Sequence, residues 1–211
     1  MSRDRNDSDI IRVILRAIEL EDRLHPHDTL WVTDIAQCLR KTYYQFKYPL
    51  KPEYRFKRSL IMGKAIHLWI EELLLKHKSE LGVDIEVEVP VEARIGGMVV
   101  RGYADIILDN VLYEIKTVNH IPSKPYFEHQ LQAGFYAYML NLDKYCILYV
   151  SDYGSTVYCM ETNRGILNVF RERVATLKRS LEEGKPPPRE RSVLCNYCPY
   201  RRLCNRDKTL F

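Results

Sequence analysis

The sequence predicts an α/β chain built on one central mixed sheet. Three observations carry this. Apolar residues recur at helical spacing as far as His77. Residues 84–92 then switch to strict alternation. A helix, a hairpin and a second helix follow between 127 and 183. At roughly 150 residues per domain, 211 residues fit one domain with a small appendage. An apolar fraction of 46% and a charged fraction of 28% exclude a disordered, collagen-like or low-complexity chain. No apolar run reaches the roughly 18 residues of a membrane span. MSRDRNDSD at the start lacks the apolar region of a signal peptide, so the expected compartment is the cytoplasm. Disulfides are rare there, and six cysteines need another explanation. A net charge of +4 permits nucleic-acid binding without demanding it.

The elements follow in order, and no internal repeat interrupts them. DIIRVILRAIELEDRL (9–24) reads as an amphipathic helix, with Asp7 and Ser8 as caps. A second helix is expected from Thr33 to Tyr48, containing Cys38. A third, Ser59 to His77, carries Gly63, His67 and the apolar set Ile66, Trp69, Ile70, Leu73 and Leu74. DIEVEVPVE places Ile85, Val87, Val89 and Val91 on one face of a half-buried strand. Gly96-Gly97 signals a turn, and strands 99–108 and 111–118 flank Asp109-Asn110. Residues 127–140 return to helix. Lys144–Val150 and Thr156–Met160 form a hairpin around 152–155, and Ile166–Glu183 is a last helix stopped by Gly184 and Pro186–Pro188.

The chemistry concentrates in GYADIILDNVLYEIK (102–116). With Asp109-Asn110 as a two-residue turn, Leu108 faces Val111 and Asp105 faces Glu114. Directly opposed side chains share a face with Cβ atoms about 5 Å apart, and Lys116 lies on that face too. Ala104, Ile106, Leu108, Val111, Tyr113 and Ile115 fill the other face as core. Two opposed carboxylates repel, and a bridging Mg²⁺ or Mn²⁺ offsets the repulsion. Lys116 beside them could orient a water or stabilise developing phosphorane charge. The same pattern also fits a solvent-facing acidic pair with Lys116 as its surface partner.

Asp105 followed by Glu114-Ile115-Lys116 resembles the core of the PD-(D/E)XK nuclease superfamily. Gly63-Lys64-Ala65-Ile66-His67 resembles the upstream helix motif of its RecB-like branch, and Gln132-Ala133-Gly134-Phe135-Tyr136 its downstream Q-x-x-x-Y motif. The resemblance implies a restriction-endonuclease-like α/β core with a central mixed sheet flanked by helices. It also implies a metal held by His67, Asp105, Glu114 and the Ile115 carbonyl, with Lys116 positioning water. Gln132 and Tyr136 share one helix face at i and i+4 and are expected to orient DNA.

Cys195, Cys198 and Cys204 form C-x2-C-x5-C, one ligand short of a four-coordinate site. Cys146 and Cys159 sit among apolar strand residues and read as small core hydrophobes, which makes Cys38 the better fourth ligand. Four thiolates suit Zn²⁺ and iron–sulfur clusters alike. One cysteine upstream and three in the tail resemble the CRISPR-associated exonuclease family and the iron–sulfur nuclease domains of helicase–nucleases. The short chain without a helicase motif favours the first. That resemblance implies an iron–sulfur cluster, [4Fe–4S] ahead of [2Fe–2S], joining the two ends of the chain. It implies an exonuclease that trims DNA 5′→3′ at single-stranded ends during CRISPR adaptation, with the Cas1–Cas2 integrase as partner. The alternatives are an iron–sulfur scaffold subunit that binds DNA and a detached helicase–nuclease domain in repair.

Residues 40–58 carry seven Lys/Arg against one acid, interleaved with Tyr43, Tyr44, Phe46, Tyr48, Tyr54 and Phe56. Residues 185–208 carry seven Lys/Arg against two acids. Cations beside aromatic platforms suit a single strand, so Arg40, Lys41, Tyr43, Tyr44, Lys47, Arg201 and Arg202 are the expected DNA contacts, although several of these aromatics also fit a core. The expected layout is an N-terminal helix (1–30), a nuclease core (31–185, with 31–58 shared with the cluster) and a cysteine segment (186–211).

Overall fold

The computed structural model describes residues 8–23, 29–51, 53 and 57–206. The Asp7 cap, Tyr54, Phe56 and the end of the basic tail lie outside them. Helices α1 (Ser8–Arg23), α4 (Arg58–Lys76), α6 (Phe127–Met139) and α7 (Gly165–Glu183) match the apolar periodicities. Gly184 ends α7 at φ 67°, a left-handed residue that glycine supplies without a Cβ penalty.

The single helix expected over 33–48 is instead two, α2 (Val32–Ala36) and α3 (Leu39–Lys47), broken at Gln37 and Cys38. The break leaves helix carbonyls unpaired, and Arg173 of α7 satisfies them. Its Nε donates to Ile35 at 2.7 Å and its guanidinium to Gln37 at 2.6 Å. The long-range partner decides the break, so local periodicity missed it. Ahead of α2, Leu30–Trp31 form a two-residue strand, β1, which the sequence did not signal. After α4 comes the short helix α5 (Lys78–Leu81).

The sheet consists of β2 (Ile85–Ile95), β3 (Met98–Leu108), β4 (Val111–Thr117), β5 (Lys144–Ser151), β6 (Gly154–Glu161) and β1. Its order is β1-β3-β4-β5-β6, with β2 on the other edge of β3. The β2–β3, β3–β4 and β5–β6 pairs are antiparallel, whereas β1–β3 and β4–β5 are parallel. A parallel pair needs a crossover, and α6 provides it. The β2–β3 and β3–β4 turns have the mirror-type geometry that follows strand twist: Gly96 and Gly97 at φ 57° and 80°, Asp109 and Asn110 at 46° and 64°.

The expected register holds at Leu108↔Val111 and continues to Ile106↔Tyr113, where the ladder stops. On the other edge of β3 the pairs Val87↔Ile106 and Val89↔Ala104 bracket Glu88 and Asp105, and Glu88 takes φ 48°. This irregularity redirects the strand. Ala104 and Ile107 both enter the main core, although strict alternation would separate them. Ile106 and Ile115 are buried outside that core, while Leu108, Val111 and Tyr113 are only half buried. The face expected to be uniform core is therefore divided at the carboxylate. The main core fills the space among α2, α6, α7 and the sheet, with Phe135 and Phe170 stacked at 3.6 Å between centroids. Helix α4 packs on β2, β3 and β4. Among the described residues no helix is long and apolar enough to cross a membrane.

Cys146 and Cys159 were expected to be separate core hydrophobes. They are direct cross-strand partners in β5 and β6 and form a disulfide. Cys146 is fully buried, but Cys159 faces solvent on the edge strand. The register brings the two sulfurs together, and no local apolar pattern reports a register.

Candidate active site and cysteine cavity

The site forms where β3 and β4 part. Past Ile106 the two strands no longer pair, and the Asp105 carboxylate takes the place of a ladder acceptor: the Ile115 N–H donates to its Oδ2 at 2.7 Å. Asp105 is thus fixed against the backbone of the next strand. Helix α4 brings His67 to it, with Nδ1 3.5 Å from Asp105 Oδ2. Gly63 permits this approach, since a Cβ there would stand 3.0 Å from Thr117 Oγ1. The glycine of the helix motif accordingly lets α4 lie close against the end of β4.

On the other side, Glu114 is 1% exposed and accepts from Lys116 Nζ at 2.7 Å. Lys116 also donates to Gln132 Oε1 at 2.9 Å. Gln132 in turn hydrogen-bonds the Tyr136 hydroxyl, which also bonds the Tyr103 backbone. That hydroxyl lies over Gly102, where a Cβ would come within 2.5 Å of it. Gln132 and Tyr136 share a helix face as expected, but both are buried, and their polar atoms hold Lys116 and β3 rather than turning outward.

Burial dominates the electrostatics. It pushes Asp105 up to about 6, against the pull of Lys116. It pushes Glu114 up to about 7, aided by the charge of Asp105. His67 is lowered by burial and then by Lys116, so its ring is held neutral with a lone pair to offer. The same ring is hydrogen-bonded to the Ile115 backbone, which places that residue beside the expected ligands.

Two carboxylates were missed in the sequence. Glu71 stands four residues after His67 on α4, the spacing that aligns side chains on one helix face. It is 4% exposed, and His67, Glu71 and Asp105 each offer a ligand atom within 4.8 Å of the others. Its His-x3-Glu spacing was the available signal. Burial and Glu88 push Glu71 up to about 7. Glu88, at its left-handed position, hydrogen-bonds Glu71 and lines the same cavity of about 240 Å³ with Gly63, Lys64, His67 and Leu68. Nothing local marked Glu88.

Among the described residues, Glu71 Oε1 and Glu114 Oε2 are buried without a hydrogen-bond partner. Unmatched buried carboxylate oxygens are costly. Beside a neutral imidazole and Asp105, they suit a hard divalent cation. The donor set therefore fits Mg²⁺ or Mn²⁺.

The four remaining cysteines are free, and all line one cavity of about 240 Å³. Cys38 enters from the α2–α3 break, Cys195 from a 3₁₀ turn (Val193–Tyr197), Cys198 from the next loop and Cys204 from α8 (Arg201–Arg206). Burial raises the Cys38 and Cys198 thiols, while Lys41 opposes the rise at Cys198. Arg173 ties the two ends together, donating to Gln37 beside Cys38 and to Glu190 Oε2 at 3.0 Å. Arg40 Nε donates to Pro187 at 2.7 Å and the Tyr200 hydroxyl to Tyr48 at 2.7 Å. Four free thiols converging on one space suit a thiolate-bound metal group.

The family model of the PD-(D/E)XK nuclease superfamily matches residues 75–205. This chain belongs to that superfamily. Within it, the chain is 30% identical to the CRISPR-associated exonuclease Cas4 of Saccharolobus solfataricus over 132 residues, 59% of this chain and 64% of that protein. The matched region is thus less than two thirds of the relative's length. The solved structure of SSO0001 superposes with a TM-score of 0.73 at 24% identity, covering 96% of this chain and 98% of that one. An alkaline exonuclease from Laribacter hongkongensis gives 0.51 at 12% identity, over 74% and 89% of the two chains. These likenesses establish a shared nuclease fold.

Seen on this PD-(D/E)XK fold, the expected DNA contacts divide. Lys47, Arg201 and Arg202 are exposed. Arg40, Tyr43 and Tyr44 are 1%, 5% and 3% exposed, and Arg40 and Tyr44 line the cysteine cavity. Lys41 is half buried at the cysteine cavity, where its Nζ donates to Gln37 Oε1 at 2.6 Å. The interleaved aromatics signalled a packing surface between α3 and the tail.

Proposed function

We propose that this nuclease-fold protein is a divalent-metal-dependent deoxyribonuclease, an exonuclease acting 5′→3′ on single-stranded ends in CRISPR adaptation. The observation that carries this reading is the gathering of His67, Glu71, Asp105 and Glu114 around Lys116 where β3 and β4 separate. Similarity to the archaeal relative named a CRISPR-associated exonuclease supports the substrate and process. The reading includes action in the cytoplasm alongside the Cas1–Cas2 integrase.

His67, Glu71 and Asp105 would hold Mg²⁺ or Mn²⁺, with Glu114 and the Ile115 carbonyl beside them. A bound cation supplies Lewis-acid polarisation of a phosphate and a more acidic water. Lys116, fixed between Glu114 and Gln132, presents its ammonium group to order the attacking water and to balance charge developing on phosphorus. Gln132 and Tyr136 act as positioning residues for that ammonium. Cys38, Cys195, Cys198 and Cys204 would hold an iron–sulfur cluster, [4Fe–4S] in preference to [2Fe–2S], in a structural role. A brown protein with visible absorbance is the expected form, and a colourless zinc protein from anaerobic preparation would overturn the cluster.

The function is tested by Mn²⁺-dependent digestion of end-labelled single- and double-stranded DNA. The wild type should shorten single strands from the 5′ end. Asp105→Ala should lower the rate by roughly a thousandfold or more with little change in Tm. Full activity in the variant would overturn the site, and no cleavage by the wild type would overturn the function.

A further inference from the structure

The nuclease reading leaves one aromatic pair on the site's own strand without a role. Tyr103 lies on β3 two residues before Asp105, about 7 Å away along a strand. Its ring is 49% exposed. Trp31 of β1 stacks on it, with centroids 6.3 Å apart and planes 25° from parallel. Across the ladder, Tyr103 pairs with the exposed Pro90, next to the irregular stretch where Glu88 and Asp105 are left out of the pairing. The aromatic pair and Pro90 therefore lie one strand repeat from the carboxylate site.

The pair is also rigidly registered to the chemistry. The Tyr103 backbone is bonded to the Tyr136 hydroxyl, which bonds Gln132, which accepts from Lys116. Gly102 allows this contact by leaving room for Tyr136. Half-exposed, stacked rings beside a phosphate-cleaving site suit the flat face of an unpaired base, because every base offers a π-surface and stacking tolerates any sequence.

We propose that Trp31 and Tyr103 form a base-stacking platform that seats the nucleobase next to the scissile phosphate of a single strand. The proposal rests on the nuclease reading and deepens it. It assigns the single-strand preference to this platform, since a paired base cannot lie flat on the rings.

The chain has two tryptophans, Trp31 and Trp69. Trp69 is exposed on α4, so Trp69→Phe leaves Trp31 as sole reporter. In EDTA, oligothymidylate should quench Trp31 emission saturably, and an abasic strand of equal length and charge should not. In Mn²⁺, Tyr103→Ala should raise KM for oligothymidylate roughly tenfold with kcat within about twofold, while Tyr103→Phe should restore the wild-type KM. Equal quenching by the abasic strand, or an unchanged KM in Tyr103→Ala, overturns the platform. Absence of cleavage by the wild type instead overturns the nuclease reading, and the emission titration still decides the platform.

Discussion

The carboxylate site and the cysteine cavity are similar in volume and built on opposite principles. The carboxylate site comes from elements contiguous in sequence from α4 to α6, and its charges are partly matched from within. Asp105 has the Ile115 N–H, and Glu114 has Lys116. The cysteine cavity joins residues 38 and 195–204, the two ends of the fold. Its thiols meet mainly backbone groups: the Ser192 N–H on Cys195 Sγ at 3.5 Å, the Glu190 carbonyl at 3.8 Å and backbone bonds at Cys38 and Cys198. Arg40 and Tyr200 in its wall and Arg173 behind it join the two ends of the chain. The first arrangement holds its shape and awaits a cation. The second brings together four free thiols from distant parts of the chain.

That contrast predicts where stability and activity separate. The largest thermal effect belongs to the cysteines. Cys38→Ser should lower Tm by roughly 10 °C, because the link across the long loop from Cys38 to Cys195 is lost. Calorimetry with visible absorbance checks it. A variant that bleached without losing stability would make the cavity a passive one and erase the contrast.

A smaller effect concerns pH. Glu114 titrates in the folded metal-free protein near 7, above the ordinary carboxylate value. The folded state therefore holds its proton more tightly than the unfolded chain does. Its charge costs stability above that pKa, and the cost fades as pH falls toward the unfolded value. Metal-free Glu114→Gln should melt several degrees above wild type at pH 8 and close to it at pH 5. Excess Mn²⁺ should stabilise the wild type at pH 8 and reduce or reverse the gap. A gap independent of pH would mean that Lys116 already neutralises Glu114, leaving the site less in need of a cation.

The smallest thermal effect is expected at Gly102. Gly102→Ala displaces the Tyr136 hydroxyl and loosens Gln132 and Lys116, so cleavage should fall roughly tenfold while Tm moves by only a degree or two. A large Tm loss with normal activity would show that Tyr136 serves the core rather than the ammonium group.

Much of the carboxylate site was legible because its logic is local. A two-residue turn fixes a register as far as Ile106 and Tyr113, which carries Asp105 and Glu114 to the point where the strands part, and i,i+4 spacing pairs Gln132 with Tyr136. The same logic extends to His67 and Glu71, although the second was overlooked. Where the reading failed, the deciding partner lay far along the chain. Arg40, Tyr43 and Tyr44 look like a nucleic-acid surface until the tail covers them. Cys146 and Cys159 look like unrelated core residues until β5 and β6 pair.

The sequence by itself determined the long helices and the strands from β2 to β6 in their order, the β2–β3 and β3–β4 turns, the superfamily motifs and the four-thiol set, since each follows from spacing along one element or one turn. Tertiary structure decided the break at Cys38, the inward role of Gln132 and Tyr136, the left-handed Glu88 in the carboxylate cavity, and the stacking of Trp31 on the exposed Tyr103. Each of these is set by which remote group satisfies a carbonyl, fills a gap above a glycine or redirects a strand, and such partners are chosen only when the layers pack.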